Sequence, residues 1–193
     1  MTVVTEPSIA ERQWYREQHE QGSAGPGYIS GLRRVYRENL GHPARVVELG
    51  TWTGNSAFAW LSEGAKLYTI DSNQDNSAML VEDARRYGWT ERLVCIKADS
   101  IEYAKEWEGQ IDLLYIDTDH EYLQVRREVE AWIPHVRAGG FIVLDDAVEY
   151  PAVHEAFDFC AEVSCKDRIA SFTLYTSLPY TPKNHGLIVA KIK

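Results

Sequence analysis

Two short acidic clusters, Ile116-Asp117-Thr118-Asp119-His120 and Leu144-Asp145-Asp146, carry the residues best suited to chemistry. Each closes an apolar run that reads as a buried strand, and adjacent strands in a sheet lie ~5 Å apart. If the two strands are neighbours, Asp117, Asp145 and Asp146 converge on one point. Three carboxylates stay ionised together in a small site only beside a cation. Hard oxygen donors with room for water suit Mg²⁺ best, ahead of Mn²⁺ or Ca²⁺. An ion held there takes a hydroxyl or diol as a further ligand and lowers its pKa. His120 sits on the turn into the next helix, where its imidazole can act as general base for that hydroxyl. The plainer reading leaves His120 on the first helical turn, facing solvent. Asp119 is expected to cap the helix that starts near Glu121. Acids at strand ends often cap helices, but capping takes one acid per helix, and two of these ends carry a pair.

A second constellation lies upstream. Val46-Val47-Glu48-Leu49-Gly50-Thr51-Trp52-Thr53-Gly54-Asn55-Ser56 reads as a strand, a turn of small residues and a helix start. Asp71 follows Gly50 by 21 residues and closes the apolar run Leu67-Tyr68-Thr69-Ile70. This is one βαβ unit, the arrangement that holds an adenosine. Asp71, with Ser72 beside it, is placed to accept hydrogen bonds from ribose hydroxyls. Backbone amides from Thr51 to Ser56, at a helix N-terminus, suit a ligand carboxylate. Trp52 stands where a dinucleotide fingerprint has its second glycine and would obstruct a pyrophosphate. That makes a nicotinamide oxidoreductase the weakest candidate.

The elements that position these groups follow from periodicity. Strands are expected at 45–50, 66–71, 92–98, 111–117 and 140–145, with helices at about 55–63, 75–87, 100–107 and 121–137 and another after Tyr150. Alternation of this kind implies a parallel sheet with right-handed crossovers. Ile169 to Thr176 and Gly186 to Ile192 form a β-rich pair around the turn Ser177 to Asn184, expected to add antiparallel strands. Residues 1–44 form a separate block, read as a lid over the site or as packing on the sheet, and residues 45–193 form the main domain. In the block, Ile9 to Gln21 and Tyr28 to Leu40 look helical around the break Gly22 to Gly27. Trp14, Tyr15 and Tyr28 could line a pocket there, while Trp52, Trp60, Trp89, Trp107 and Trp132 are expected mostly in the core.

The first motif resembles that of the class I methyltransferases dependent on S-adenosyl-L-methionine, with a Rossmann-like α/β fold. The resemblance implies a mostly parallel seven-stranded sheet with an antiparallel C-terminal strand and helices on both faces. It implies that Glu48 orders the turn and the amino group of the cofactor. It also implies that Asp99 accepts from the adenine amino group, with Ser100 beside it. Either Asp99 or Ser100 could instead cap the next helix. Gly50, Thr51, Gly54, Ser56 and Asp117 complete the expected cofactor set. The D-x-x-H and D-D pair further resembles the metal-dependent O-methyltransferases of antibiotic tailoring, of the macrolide-sugar and cephamycin type. In that group the corresponding acids bind Mg²⁺ and the histidine is the base. This resemblance covers about Arg45 to Ala161. Thr118 departs from it, standing where the family often has glycine.

Composition bounds the partners. At 193 residues with 45% hydrophobic content the chain suits one soluble domain with a full core. A net charge of −9 argues against a nucleic-acid backbone as main partner, and no apolar run approaches a membrane span. Three scattered cysteines without zinc spacing, and no basic and apolar leader in Met1 to Ala10, read as a cytoplasmic protein. A small-molecule acceptor is expected, and a short lid would suit a homodimer. A metal-independent methyltransferase acting on an amine and a non-catalytic adenosine-ligand binder are the rival readings.

Overall fold

Strand β1 (Arg45–Leu49) is the middle one of the five parallel strands, between β2 (Lys66–Asp71) and β4 (Ile111–Ile116). The computed structural model describes residues 26–40, 43–73, 77–176 and 186–193. Strand β3 (Leu93–Lys97) extends the β2 side and β5 (Val136–Leu144) the β4 side, again in parallel. Strands β6 (Ile169–Tyr175) and β7 (Leu187–Ile192) complete the order β3-β2-β1-β4-β5-β7-β6, with β7 antiparallel to both neighbours. This is the expected mostly parallel, seven-stranded sheet with an antiparallel C-terminal strand.

Side-chain alternation along the strands feeds two cores, one on each face. Helices α1 (Pro26–Asn39), α2 (Asn55–Ser62) and α3 (Ala78–Arg86) cover the face that carries Leu113 and Tyr115. Helices α4 (Ser100–Ala104), α5 (Tyr122–Trp132) and α6 (Pro151–Phe159) cover the face that carries Leu114 and Ile116. In α1 the buried residues Tyr28, Ile29, Leu32, Val35 and Tyr36 recur at helical spacing. Arg33 and Arg37 both reach Glu63, just past α2, and pin the outer side of α1. The described part of the N-terminal block is thus a core helix whose first turn carries Tyr28. The expected helix from Ile9 to Gln21, with Trp14 and Tyr15, and the turn from Ser177 to Asn184 lie outside the described residues.

One boundary differs substantially. The helix expected over 121–137 ends at Trp132, and a 3₁₀ turn with Pro134 inside it leads into β5 at Val136. Proline removes a helical donor and stops the α-helix. Strand β5 then passes through Gly139 and Gly140, where the glycines look like a strand start but permit a tight approach. A Cβ on Gly140 would lie 3.0 Å from the Asp112 carbonyl oxygen.

Candidate active site

Register places the key residues in a row. Leu49 pairs with Ile116 and Ile116 with Leu144, so Gly50, Asp117 and Asp145 follow side by side at the carboxyl edge. Their amides continue the ladder: Gly50 N donates to Ile70 O at 2.8 Å, and Asp117 N and Asp145 N donate at 3.0 Å to Leu49 O and Ile116 O. The strand order reverses here, the place where open α/β sheets bind ligands. Gly50 has φ +89°, and a Cβ on it would lie 1.9 Å from the Asp117 carbonyl oxygen. Gly54 has φ +79°, and a Cβ there would lie 2.8 Å from Leu80 Cβ. Both glycines are therefore demanded by the protein's own packing, while their backbones also border the site.

Asp117, His120 and Asp146 form a cluster whose donor atoms all lie within 4.8 Å of one another. His120 Nε2 is 3.0 Å from Asp146 Oδ2 and 3.8 Å from Asp117 Oδ1. That nitrogen is buried and makes no well-formed hydrogen bond among the described residues. Two carboxylates and an imidazole that face one another in this way fit a divalent cation. Asp117 first, then Asp146, raise the His120 pKa to about 10. Burial raises that of Asp117, opposed by His120. The imidazole ring stacks on Tyr150, with centroids 4.0 Å apart and planes 13° from parallel, which fixes its direction.

Asp145 is placed differently from its neighbour. The hydroxyls of Tyr28 and Tyr115 both donate to Asp145 Oδ2, the latter at 2.6 Å, and the Asp146 amide donates to Oδ1 at 2.8 Å. Only 4% exposed, the Asp145 carboxyl is pushed up to about 7 by burial and then by the charges of Asp117 and Asp146. The cluster therefore groups Asp117 and Asp146 with His120, whereas the sequence grouped them with Asp145. The cause is local: Asp146 adopts φ 58°, a left-handed turn that sends the two consecutive carboxylates in different directions. The expected cap from Asp119 is not formed. Glu121 precedes α5 without a side-chain cap, and Asp119 lines a cavity instead.

Two cavities meet at this edge. The larger, about 320 Å³, is lined by Asp71, Ser72, Asp99, Ser100 and Glu128 among others. The smaller, about 220 Å³, is lined by Tyr28, Thr51, Gly54, Ser56, His120, Asp145 and Asp146. Gly50, Trp52 and Asp117 border both. Asp71 Oδ2 accepts from the amides of Thr51 and Trp52 at 2.9 and 3.0 Å and so braces the turn. Asp99 Oδ1 accepts from the amides of Ile101 and Glu102, which makes Asp99 the cap of α4 while it faces the larger cavity. Ser100 is not that cap; its hydroxyl donates to Glu128 Oε1 at 2.5 Å. Asn55 Oδ1, at the start of α2 on the smaller cavity, is buried with no hydrogen-bond partner among the described residues. An elongated ligand with polar groups at both ends fits this divided space.

Glu48 stands apart from the cavities. It is fully buried in β1, where Oε2 accepts from Thr69 Oγ1 at 2.5 Å, and Thr69 Oγ1 in turn meets Thr51 Oγ1 at 2.6 Å. Burial lifts its carboxyl to about 8, against the opposing pull of the Ser56 and Thr69 hydroxyls. Glu48 thus reaches the turn through Thr69 and Thr51 and the start of α2 through Ser56. Trp52, expected in the core, is 54% exposed at the junction of the cavities, with φ 39°.

Sequence reasoning missed four contributors: Tyr115, Tyr150, Glu128 and Thr69. Glu128, fully buried on α5, accepts from Ser100, Gln124 and Thr118, and so organises a wall of the larger cavity. A buried glutamate three residues past Val125 on an otherwise apolar helical face was the available signal.

Comparison with known proteins agrees with this geometry. The family model described as "Methyltransferase domain" matches residues 47–147. An O-methyltransferase, hkm8, of Aspergillus hancockii is 33% identical over 112 residues, covering 54% of this chain and 43% of that protein. The chain spans about half the length of the curated relatives it matches. Among solved structures, the methyltransferase PaMTH1 of Podospora anserina, with S-adenosylhomocysteine bound, superposes with a TM-score of 0.73 at 18% identity, covering 100% of this chain and 89% of its own. The O-methyltransferase of Bacillus cereus, also in complex with S-adenosylhomocysteine, gives a TM-score of 0.74 at 14% identity, with 100% and 94% covered. These two show the shared fold. With nearly all of its first βαβ unit, the following three strands and both acidic clusters inside the matched span, the chain belongs to the methyltransferase-domain family.

Proposed function

We propose that the chain transfers the methyl group of S-adenosyl-L-methionine to a hydroxyl of a small molecule, with a divalent cation at the Asp117, His120 and Asp146 cluster. One observation carries this reading: the two cavities join at Gly50, Trp52 and Asp117, and the cluster lies on the smaller one. In this reading the adenosine occupies the larger cavity, with Asp71 and Ser72 toward the ribose and Asp99 and Ser100 toward the adenine. The amino-acid end lies along the turn from Thr51 to Ser56 and the first turn of α2. A bound divalent cation would supply a Lewis acid for the acceptor hydroxyl.

The chain's own groups then have distinct tasks. Asp117 and Asp146 fix the imidazole between them, and Tyr150 holds its plane. With its pKa near 10, His120 holds a proton at neutral pH in the arrangement described. With a divalent cation at the cluster, His120 would lose that proton and give its Nε2 lone pair, serving as a ligand beside Asp117 and Asp146. Tyr28 and Tyr115 keep Asp145 from joining the cluster, so a nitrogen donor replaces one of the three oxygens expected for Mg²⁺. That change favours Mn²⁺ relative to Mg²⁺. The net charge of −9 supports a small acceptor over a nucleic acid. Among the described residues no helix is long and apolar enough to cross a membrane.

The test is methyl transfer from isotopically labelled cofactor to a panel of phenols, sugars, diols and amines, with Mn²⁺, Mg²⁺ or EDTA. Transfer to hydroxyls that EDTA abolishes supports the reading. Transfer to amines in the presence of EDTA replaces it with metal-free N-methylation. Tight cofactor binding without transfer to any acceptor leaves a binding protein.

A further inference from the structure

The opposite, amino edge of the sheet holds a third cavity, of about 650 Å³, with a contrasting lining. Arg45, Lys66, Arg92 and Arg137 meet there with a single acid, Asp112. In a chain of net charge −9, such a gathering of cations is a local inversion. Asp112 is already engaged: Oδ1 accepts from Arg137 Nε at 2.5 Å and Oδ2 from the Arg45 amide at 2.8 Å. Arg92 is anchored by carbonyls of Leu61 and Ala65, at 2.9 and 3.0 Å from Nη1.

Arg45 and Lys66 are the informative pair. They are register partners on β1 and β2, and both approach the Tyr68 ring, at 6.0 and 5.6 Å from its centroid. Like charges directly opposite on paired strands are destabilising. Neither forms an ion pair with a carboxylate among the described residues. Room for the Arg45 guanidinium depends on Gly109, where a Cβ would lie 2.3 Å from Nη1. Two like charges thus stand on register-paired residues beside one ring, where Arg45 Nη1 donates to the Gln110 carbonyl oxygen at 3.4 Å and neither cation meets a carboxylate among the described residues.

We propose that this cavity binds a small phosphate-bearing anion. Guanidinium forks and an ammonium point charge are the groups that recognise phosphate oxygens. β1 spans five residues at ~3.3 Å each, so this cavity and the acidic cluster lie at opposite ends of the same strand. The proposal is therefore independent of the methyl-transfer reading.

The test is calorimetric titration of inorganic pyrophosphate into the full chain at constant ionic strength, beside Lys66→Gln and Arg45→Gln. The expected result is one saturable site, weakened at least tenfold in Lys66→Gln. Without anion, Lys66→Gln should melt at or above the wild-type temperature, because relief of the repulsion stabilises the fold. Absence of saturable binding, or equal affinity in wild type and Lys66→Gln, overturns the proposal. So does binding to phosphatidic acid vesicles without binding to pyrophosphate, which would assign the surface to a lipid headgroup.

Discussion

The two ends of one parallel sheet make opposite electrostatic choices. At the carboxyl edge, Asp71, Asp117, Asp145 and Asp146 crowd together, each beside amides, hydroxyls or an imidazole. At the amino edge, Arg45, Lys66, Arg92 and Arg137 line a cavity with a single carboxylate, that of Asp112, which pairs with Arg137. Strand polarity alone sets neither pattern, since the dipoles of a parallel sheet are small. The side chains set both, and each pattern carries like-charge repulsion that a ligand of opposite sign would relieve. The comparison teaches where ligand chemistry resides: between the edges the strands are mostly apolar apart from the buried pair Glu48 and Thr69, and the charge collects at the two edges.

The largest expected effect is at the acidic edge. Asp117→Asn should weaken divalent binding by ~10²-fold or more, beyond the typical loss when an outer-shell partner of a metal ligand is removed. Calorimetry with and without the variant reads this. His120→Ala should weaken divalent binding by ~10-fold or more and slow turnover with it, and an unchanged metal affinity would remove His120 from the ligand set. Gly50→Ala should destabilise the fold by about 2–4 kcal/mol, since a Cβ would enter the Asp117 carbonyl at φ +89°. Denaturant unfolding measures that loss, and a shift below 1 kcal/mol would show that β4 yields easily.

The pH dependence has a definite sign. Asp145 and Glu48 have folded pKa values raised to about 7 and about 8, so the folded state binds more protons than the unfolded chain above pH 4. Their contributions fall as pH rises from about 4 to 8. His120, raised to about 10, contributes fully below its unfolded value and loses that contribution as pH rises through 10. All three slope the same way, so the melting temperature should decline from pH 5 to pH 9. Glu48→Gln should flatten part of that decline, and identical slopes would contradict the buried acid as its source. The smallest effect is at Tyr150→Ala, where loss of the stacking surface should cost a few-fold in turnover. Lys66→Gln, at the other edge, should leave divalent binding and turnover unchanged.

Much of this was legible in the sequence for a simple reason. Apolar runs ending in Gly50, Asp71, Asp117 and Asp145 report strand ends directly, and parallel topology brings those ends to one edge. The β5 start was obscured because Gly139 and Gly140 resemble a boundary, whereas Pro134 was the effective one. The divergence of Asp145 from Asp146 depends on a left-handed residue and on two tyrosines from elsewhere. Tyr28 lies 117 positions from Asp145, a separation that no local pattern encodes. Glu48 looked like a ligand-facing acid, yet β1 has a parallel strand on each side and the Glu48 carboxyl is fully buried against Thr69. Trp52 looked like core because a large aromatic usually is, and the left-handed turn places it outside.

The most direct measurement is calorimetric titration of Mn²⁺ and Mg²⁺ into the protein saturated with S-adenosylhomocysteine, run beside Asp117→Asn. One saturable site in the wild type, tighter for Mn²⁺ and lost in the variant while S-adenosylhomocysteine affinity stays within about threefold, is the expected result. No saturable site in the wild type, or the same affinity in Asp117→Asn, would contradict a cation at the acidic edge.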